Sequence, residues 1–107
     1  MDKEKVRFEI VWTETAKSQF LDILAYWIQK NHSNNYSLKI IDLVEDRLDF
    51  ISTNPKASTK TDYSATRKCA MGHFSIIYKL TKDKIYITAF WDNRQSPDKL
   101  QKILKEK

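Results

Sequence analysis

Pro55 divides this sequence into two parts with different periodicities. A proline pushes the residue before it out of helical geometry, so a helix reaching Asn54 must stop there. Ahead of it, Tyr36, Ile40, Ile41, Val44, Leu48 and Ile51 recur at three- and four-residue spacing. That spacing predicts one helical stripe. An earlier stripe runs through Ala16, Phe20, Ile23, Leu24 and Trp27. Thr13 is a fitting N-cap for it, and Glu14 sits where the helix dipole favours a negative charge. The first helix therefore runs from Glu14 to about Lys30 by the usual stop signals. The polar stretch Asn31-His32-Ser33-Asn34-Asn35 joins the two helices as an antiparallel hairpin. Before both, Arg7 to Trp12 alternates and then turns apolar, which predicts a short strand.

After Pro55 the helical period disappears. Residues Lys56 to Ala65 are rich in Ser, Thr and Lys and read as a surface loop. Three strand candidates follow: Thr66–Ala70, His73–Leu80 and Lys84–Trp91. Gly72, the only glycine, marks the first tight turn, and Thr81-Lys82-Asp83 the second. Short turns make these strands an antiparallel meander. Asp92 to Gln95 is a polar exit, after which Ser96 caps and Pro97 opens a last helix to about Lys105. The expectation is one α+β domain over residues 1–107, ordered β-α-α-β-β-β-α, with a helix hairpin on an antiparallel sheet.

Charge separates along the same line. Residues 1–54 carry 7 Lys/Arg and 9 Asp/Glu, and residues 55–107 carry 12 and 5. The sheet half therefore holds the positive field, which attracts RNA, DNA or an acidic protein segment. The lone cysteine, Cys69, permits no internal disulfide and fits a reducing compartment. No apolar run is long enough to cross a bilayer, and the cytoplasm is the expected location. The two histidines stand in no ligand motif, and neither a phosphate-cradling glycine loop nor a nucleophile elbow is present. No cofactor or metal is expected.

What remains is a set of cationic and hydrogen-bonding groups. Arg67 opens the second strand, and Lys68 points to its opposite face. Tyr78 and Tyr86 lie on the next two strands, and Arg94 follows the last one directly. Lys56 and Lys60 precede the sheet and read as solvated. Arginine is notable because its planar fork grips phosphate or carboxylate at two points. Arg67 and Arg94 on the sheet side are thus a candidate pair for flanking one phosphodiester.

These residues also resemble a family. Ile10-Val11-Trp12-Thr13, followed by Ala16, Phe20, Ile23 and Tyr26, is similar to the opening of RelE/ParE-class toxins. The hairpin ending at Asn54-Pro55 and the strand led by Arg67 fit the same pattern. So do Phe74-Ser75-Ile76-Ile77-Tyr78 and the exit Arg94-Gln95-Ser96-Pro97. The resemblance implies the toxin of a type II toxin–antitoxin pair, neutralised by a cognate antitoxin. RelE-type members cleave mRNA, commonly on the ribosome, and ParE-type members inhibit DNA gyrase. For the first activity it implies Arg67 as charge stabiliser, Arg94 as stabiliser or acid, and Lys60 or Lys68 as base. Neither tyrosine nor histidine follows Arg94, where many nuclease members place a catalytic group, and Asp92 stands where ParE-type members often have histidine. Both target classes stay open at this level, with the ParE style favoured. A non-catalytic nucleic-acid-binding module and a degenerate toxin are the alternatives.

Overall fold

The computed structural model describes residues 7–95. Its elements are β1 (Glu9–Trp12), α1 (Glu14–Asn31), α2 (Asn35–Thr53), β2 (Thr59–Lys60), β3 (Thr66–Met71), β4 (Phe74–Leu80) and β5 (Lys84–Asp92). The helix expected from Pro97 lies outside the described residues.

Thr13 starts α1 as its sequence suggests. It is extended (φ −72°, ψ 161°), and its Oγ1 accepts from the Ala16 amide at 3.2 Å. The same residue ties the helix to the sheet. Its amide and its hydroxyl both donate to the Ile87 carbonyl, at 3.1 and 2.9 Å. His32 ends α1 in the left-handed region at φ 53°. α2 ends at Thr53, two residues before Pro55.

All strands form one sheet in the order β1-β5-β4-β3-β2. The meander β3-β4-β5 is antiparallel, but β1 lies parallel to β5, with Ile10 beside Ile85 and Trp12 beside Ile87. The sheet is therefore mixed rather than antiparallel throughout. A chain leaving β1 crosses the whole helical layer before it re-enters the sheet, and such long connections permit parallel pairing. The segment read as a surface loop also contains a strand, β2. It pairs Thr59 with Lys68 and Lys60 with Arg67. The turn that closes it is held by Thr61, whose amide and hydroxyl both donate to the Thr66 carbonyl at 3.0 and 3.1 Å.

Gly72 turns β3 into β4 at φ 71°. An added Cβ there would meet nothing within 4 Å, so glycine is required by the backbone angle and not by space.

One face of the sheet packs on the helices. Its core joins Ala16, Ile40, Val44 and Ile51 from the hairpin to Cys69, Phe74, Ile76, Tyr78, Ile85, Ile87 and Phe90 from the strands. Cys69 is a buried structural thiol, as its strand position suggests. An aromatic chain crosses this layer. Trp12 stacks on Phe20 at 5.2 Å, Phe20 meets Phe90 edge-on at 4.9 Å, and Phe90 stacks on Phe74 at 5.6 Å. Ser75, Ile77, Ala89 and Trp91 are also buried but stand apart from that core, facing the other way.

The faces change phase in β5. Ile77 pairs with Ala89 while Tyr78 pairs with Ile87, so Thr88 is an extra residue, a β-bulge. Without it, Phe90 would point away from the helices.

Candidate functional site

α1 runs alongside β5 in the same direction. Thr13 meets Ile87 at its start, the Gln19 side chain accepts from the Phe90 amide at 2.9 Å further on, and Trp27 reaches the strand's exit. This course places the second half of α1 beside the turn that follows β5. Arg94 occupies that turn.

The Arg94 guanidinium is held by Asp92. Its Nε donates to Oδ1 at 2.9 Å and its Nη2 donates to Oδ2 at 2.8 Å. The Arg94 amide also donates to Oδ1 at 2.9 Å. Both carboxylate oxygens are thus engaged by a residue only two positions away. The Arg94 fork holds the Asp92 carboxyl below its ordinary range, and Asp92 in turn raises Arg94. The guanidinium carbon lies 5.7 Å from the centre of the Trp27 ring, a cation–π distance. Beside this pair is an open groove of about 510 Å³. Ile23, Tyr26 and Trp27 give it an apolar wall, and Lys30 adds a second cation.

Arg67 is placed differently. Its Nη1 donates to the carbonyls of Lys56 at 3.1 Å and Ser58 at 2.7 Å. It therefore clasps the loop that follows α2. Tyr78, directly opposite in the ladder, donates from its hydroxyl to the Pro55 carbonyl at 2.7 Å. Burial raises the Tyr78 phenol above its ordinary value, so it stays protonated and holds that loop. Lys60 stands next to Arg67 on β2, on the same face, and shares with it a shallow cavity of about 160 Å³. Lys68 points to the other face, which it shares with Lys79 and the half-buried Tyr86. Lys56 is exposed.

The structure does not bring the two arginines together. By register, Arg67 is level with Tyr78 and Ile87, whereas Asp92 is level with Phe74. Four residues along the sheet and two strands across separate them by roughly 15–20 Å, at ~3.3 Å per residue and ~4.8 Å per strand. Lys60 joins Arg67, and Lys68 joins neither. Sequence reasoning did not single out the groove beside Arg94. Its signal was present in the Asp92-Asn93-Arg94 spacing and in Tyr26, Trp27 and Lys30 along the end of one helix. Among the described residues, no group of three His, Cys, Asp or Glu is placed to hold a metal ion. Nor is any described helix long and apolar enough to cross a membrane.

A helix hairpin laid on a mixed sheet, with β1 parallel to β5, defines an α+β fold. The chain is similar to the solved structure of a chromosomal ParDE TA system from P. aeruginosa, with a TM-score of 0.69 and 14% identity, covering 80% of this chain and 96% of that one. A second structure, the E. coli DinJ-YafQ toxin-antitoxin complex, aligns at a TM-score of 0.45 and 13% identity over 81% of this chain and 93% of that one, a likeness too remote to argue from. No curated protein matches it in sequence. The model of the ParE toxin of type II toxin–antitoxin systems, parDE, matches residues 10–97. The chain belongs to the ParE toxin family.

Proposed function

We propose that this protein arrests bacterial growth by binding DNA gyrase, through a surface centred on Arg94, and that a cognate antitoxin neutralises it. The observation that carries this reading is the separation of the two arginines. RNA cleavage through a 2′-hydroxyl needs a base, an acid and cations converging on one phosphate. Here Arg67 and Tyr78 are committed to backbone carbonyls, and Arg94 stands roughly 15–20 Å away by strand register. Recognition of a protein surface needs no such convergence. It needs an exposed arginine beside apolar groups, a combination enriched at binding hot spots.

In this reading Arg67 is structural, and Lys60 and Lys68 contribute to the positive field without acting as bases. The antitoxin is acidic where it meets that field. Large apolar residues exposed on the outer face of the hairpin, among them Leu21, Ile28, Leu43 and Phe50, suit burial by such a partner.

A paired pulse-label after induction tests the target. Thymidine incorporation is expected to fall within minutes, before amino-acid incorporation changes. Purified protein should also block supercoiling by gyrase. Early loss of protein synthesis with intact supercoiling would overturn the reading in favour of an RNA or ribosome target. Growth with neither loss would leave a binding module or an inactive toxin.

A further inference from the structure

We propose that the groove between α1 and the exit of β5 receives an acidic protein segment, and that Asp92 is a built-in competitor occupying its carboxylate subsite. This rests on the preceding reading only in taking Arg94 as a contact residue. It does not require gyrase to be the target.

Asp92 shows what the Arg94 fork accepts. It meets the fork with two parallel bonds of 2.9 and 2.8 Å, the geometry a carboxylate adopts with arginine. Asp92 is also well covered, with 18% of its side chain exposed, whereas the Arg94 side chain is 49% exposed. Both residues line the groove, and the arginine is the more open of the two to an incoming group. An incoming carboxylate would displace Asp92 one for one.

That exchange has a consequence for specificity. Swapping one carboxylate for another on the same fork is unfavourable by itself, because the well-covered Asp92 carboxylate loses its partner while the fork only exchanges one set of bonds for another. Net affinity must come from elsewhere in the groove. The wall supplies it: Tyr26 is 55% exposed, and with Ile23 and Trp27 it offers apolar surface to cover. Lys30 adds a second positive charge on the same side. The groove thus selects a carboxylate flanked by a large apolar side chain, and it rejects free carboxylates. Nucleic acid fits less well. Asp22 and Asp92 also line the groove and balance Lys30 and Arg94, so it offers a run of phosphates no net positive charge. A single carboxylate beside an apolar side chain needs only the fork and the wall.

The test follows two signals by NMR, the Arg94 Nε–H and the Trp27 indole N–H, in the intact protein. The probes are a blocked leucine-glutamate-leucine peptide, acetate, and a thymidylate hexamer. The peptide should move both signals saturably, and acetate should not. Asp92→Asn should tighten peptide binding about tenfold, the effect of removing a competing charged hydrogen bond. Arg94→Lys keeps the charge but removes the fork. In that background, Asp92→Asn should no longer change the affinity, which a loss of folding or a merely structural Asp92 would not produce. Peptide affinity unchanged by Asp92→Asn overturns the proposal, as does the absence of any shift with peptide. Binding of the hexamer in place of the peptide also overturns it. Should gyrase prove unaffected while the peptide binds as described, the target reading fails and this inference stands.

Discussion

Arg94→Ala is expected to raise the protein concentration needed for half-maximal gyrase inhibition by about 100-fold, the loss typical of a central arginine at an interface, and to abolish growth arrest on induction. The fold should lose little. Arg94 bonds to Asp92, two residues away, and rests against the Trp27 ring at the end of a strand whose packing is complete before it. The thermal midpoint of the variant should therefore fall only slightly, through the loss of one partly exposed ion pair. Arg67→Ala should behave in the opposite way. It deletes two bonds that hold the loop after α2, at the Lys56 and Ser58 carbonyls, and should lower stability more than it lowers the activity of the molecules still folded. Supercoiling assays corrected for folded fraction separate the two. Full inhibition by an Arg94→Ala protein would place the contact surface elsewhere.

The largest effect on stability is expected at Phe90. Its ring is 1% exposed and lies between Phe20 and Phe74. Truncation to alanine should cost about 3–5 kcal/mol, combining lost burial with the cavity left behind. The upper part of that range applies because the site is poorly able to collapse. α1 is fixed over β5 at Thr13 and again at Gln19, whose side chain accepts from the Phe90 amide itself. Against a typical total of about 5–15 kcal/mol, such a loss leaves a marginal protein. Urea denaturation measures it. A loss below about 1 kcal/mol would mean that the helix settles onto the strand after all.

The elements legible in the sequence are those specified locally. Thr13 caps where it should because its side chain serves an amide three residues on. Pro55 stops α2 through its own ring, and Gly72 turns the chain through its own φ. Elements that depend on distant partners were hidden. β2 is two residues long and polar, so no period could announce it; it exists because Arg67 and Lys68 offer it an edge. The parallel pairing of β1 depends on a strand more than seventy residues away. The candidate site divides in the same manner. Arg67 and Arg94 could be chosen from the sequence as cations near a sheet. That one clasps a loop while the other faces a groove follows from how the loop after α2 folds back and from the direction of α1.

The placement of β5 also bears on how the protein is made. Synthesis proceeds from the N-terminus, and domains commonly form as they emerge. Here the N-terminal elements wait. β1 pairs with β5, and the start of α1 is bonded to Ile87 and Phe90. Each of these partners leaves the ribosome after every other described strand. The helix hairpin, although translated before β2 to β5, has no finished sheet to lie on until β5 is free of the exit tunnel. Until β5 emerges the nascent chain is therefore a bare amphipathic hairpin, and the Arg94 turn follows directly on β5, the last described strand. A translation event aborted before β5 yields a fragment lacking both the docking strand and the arginine. If Arg94 is the contact residue proposed above, the order of the chain confines activity to molecules translated beyond it.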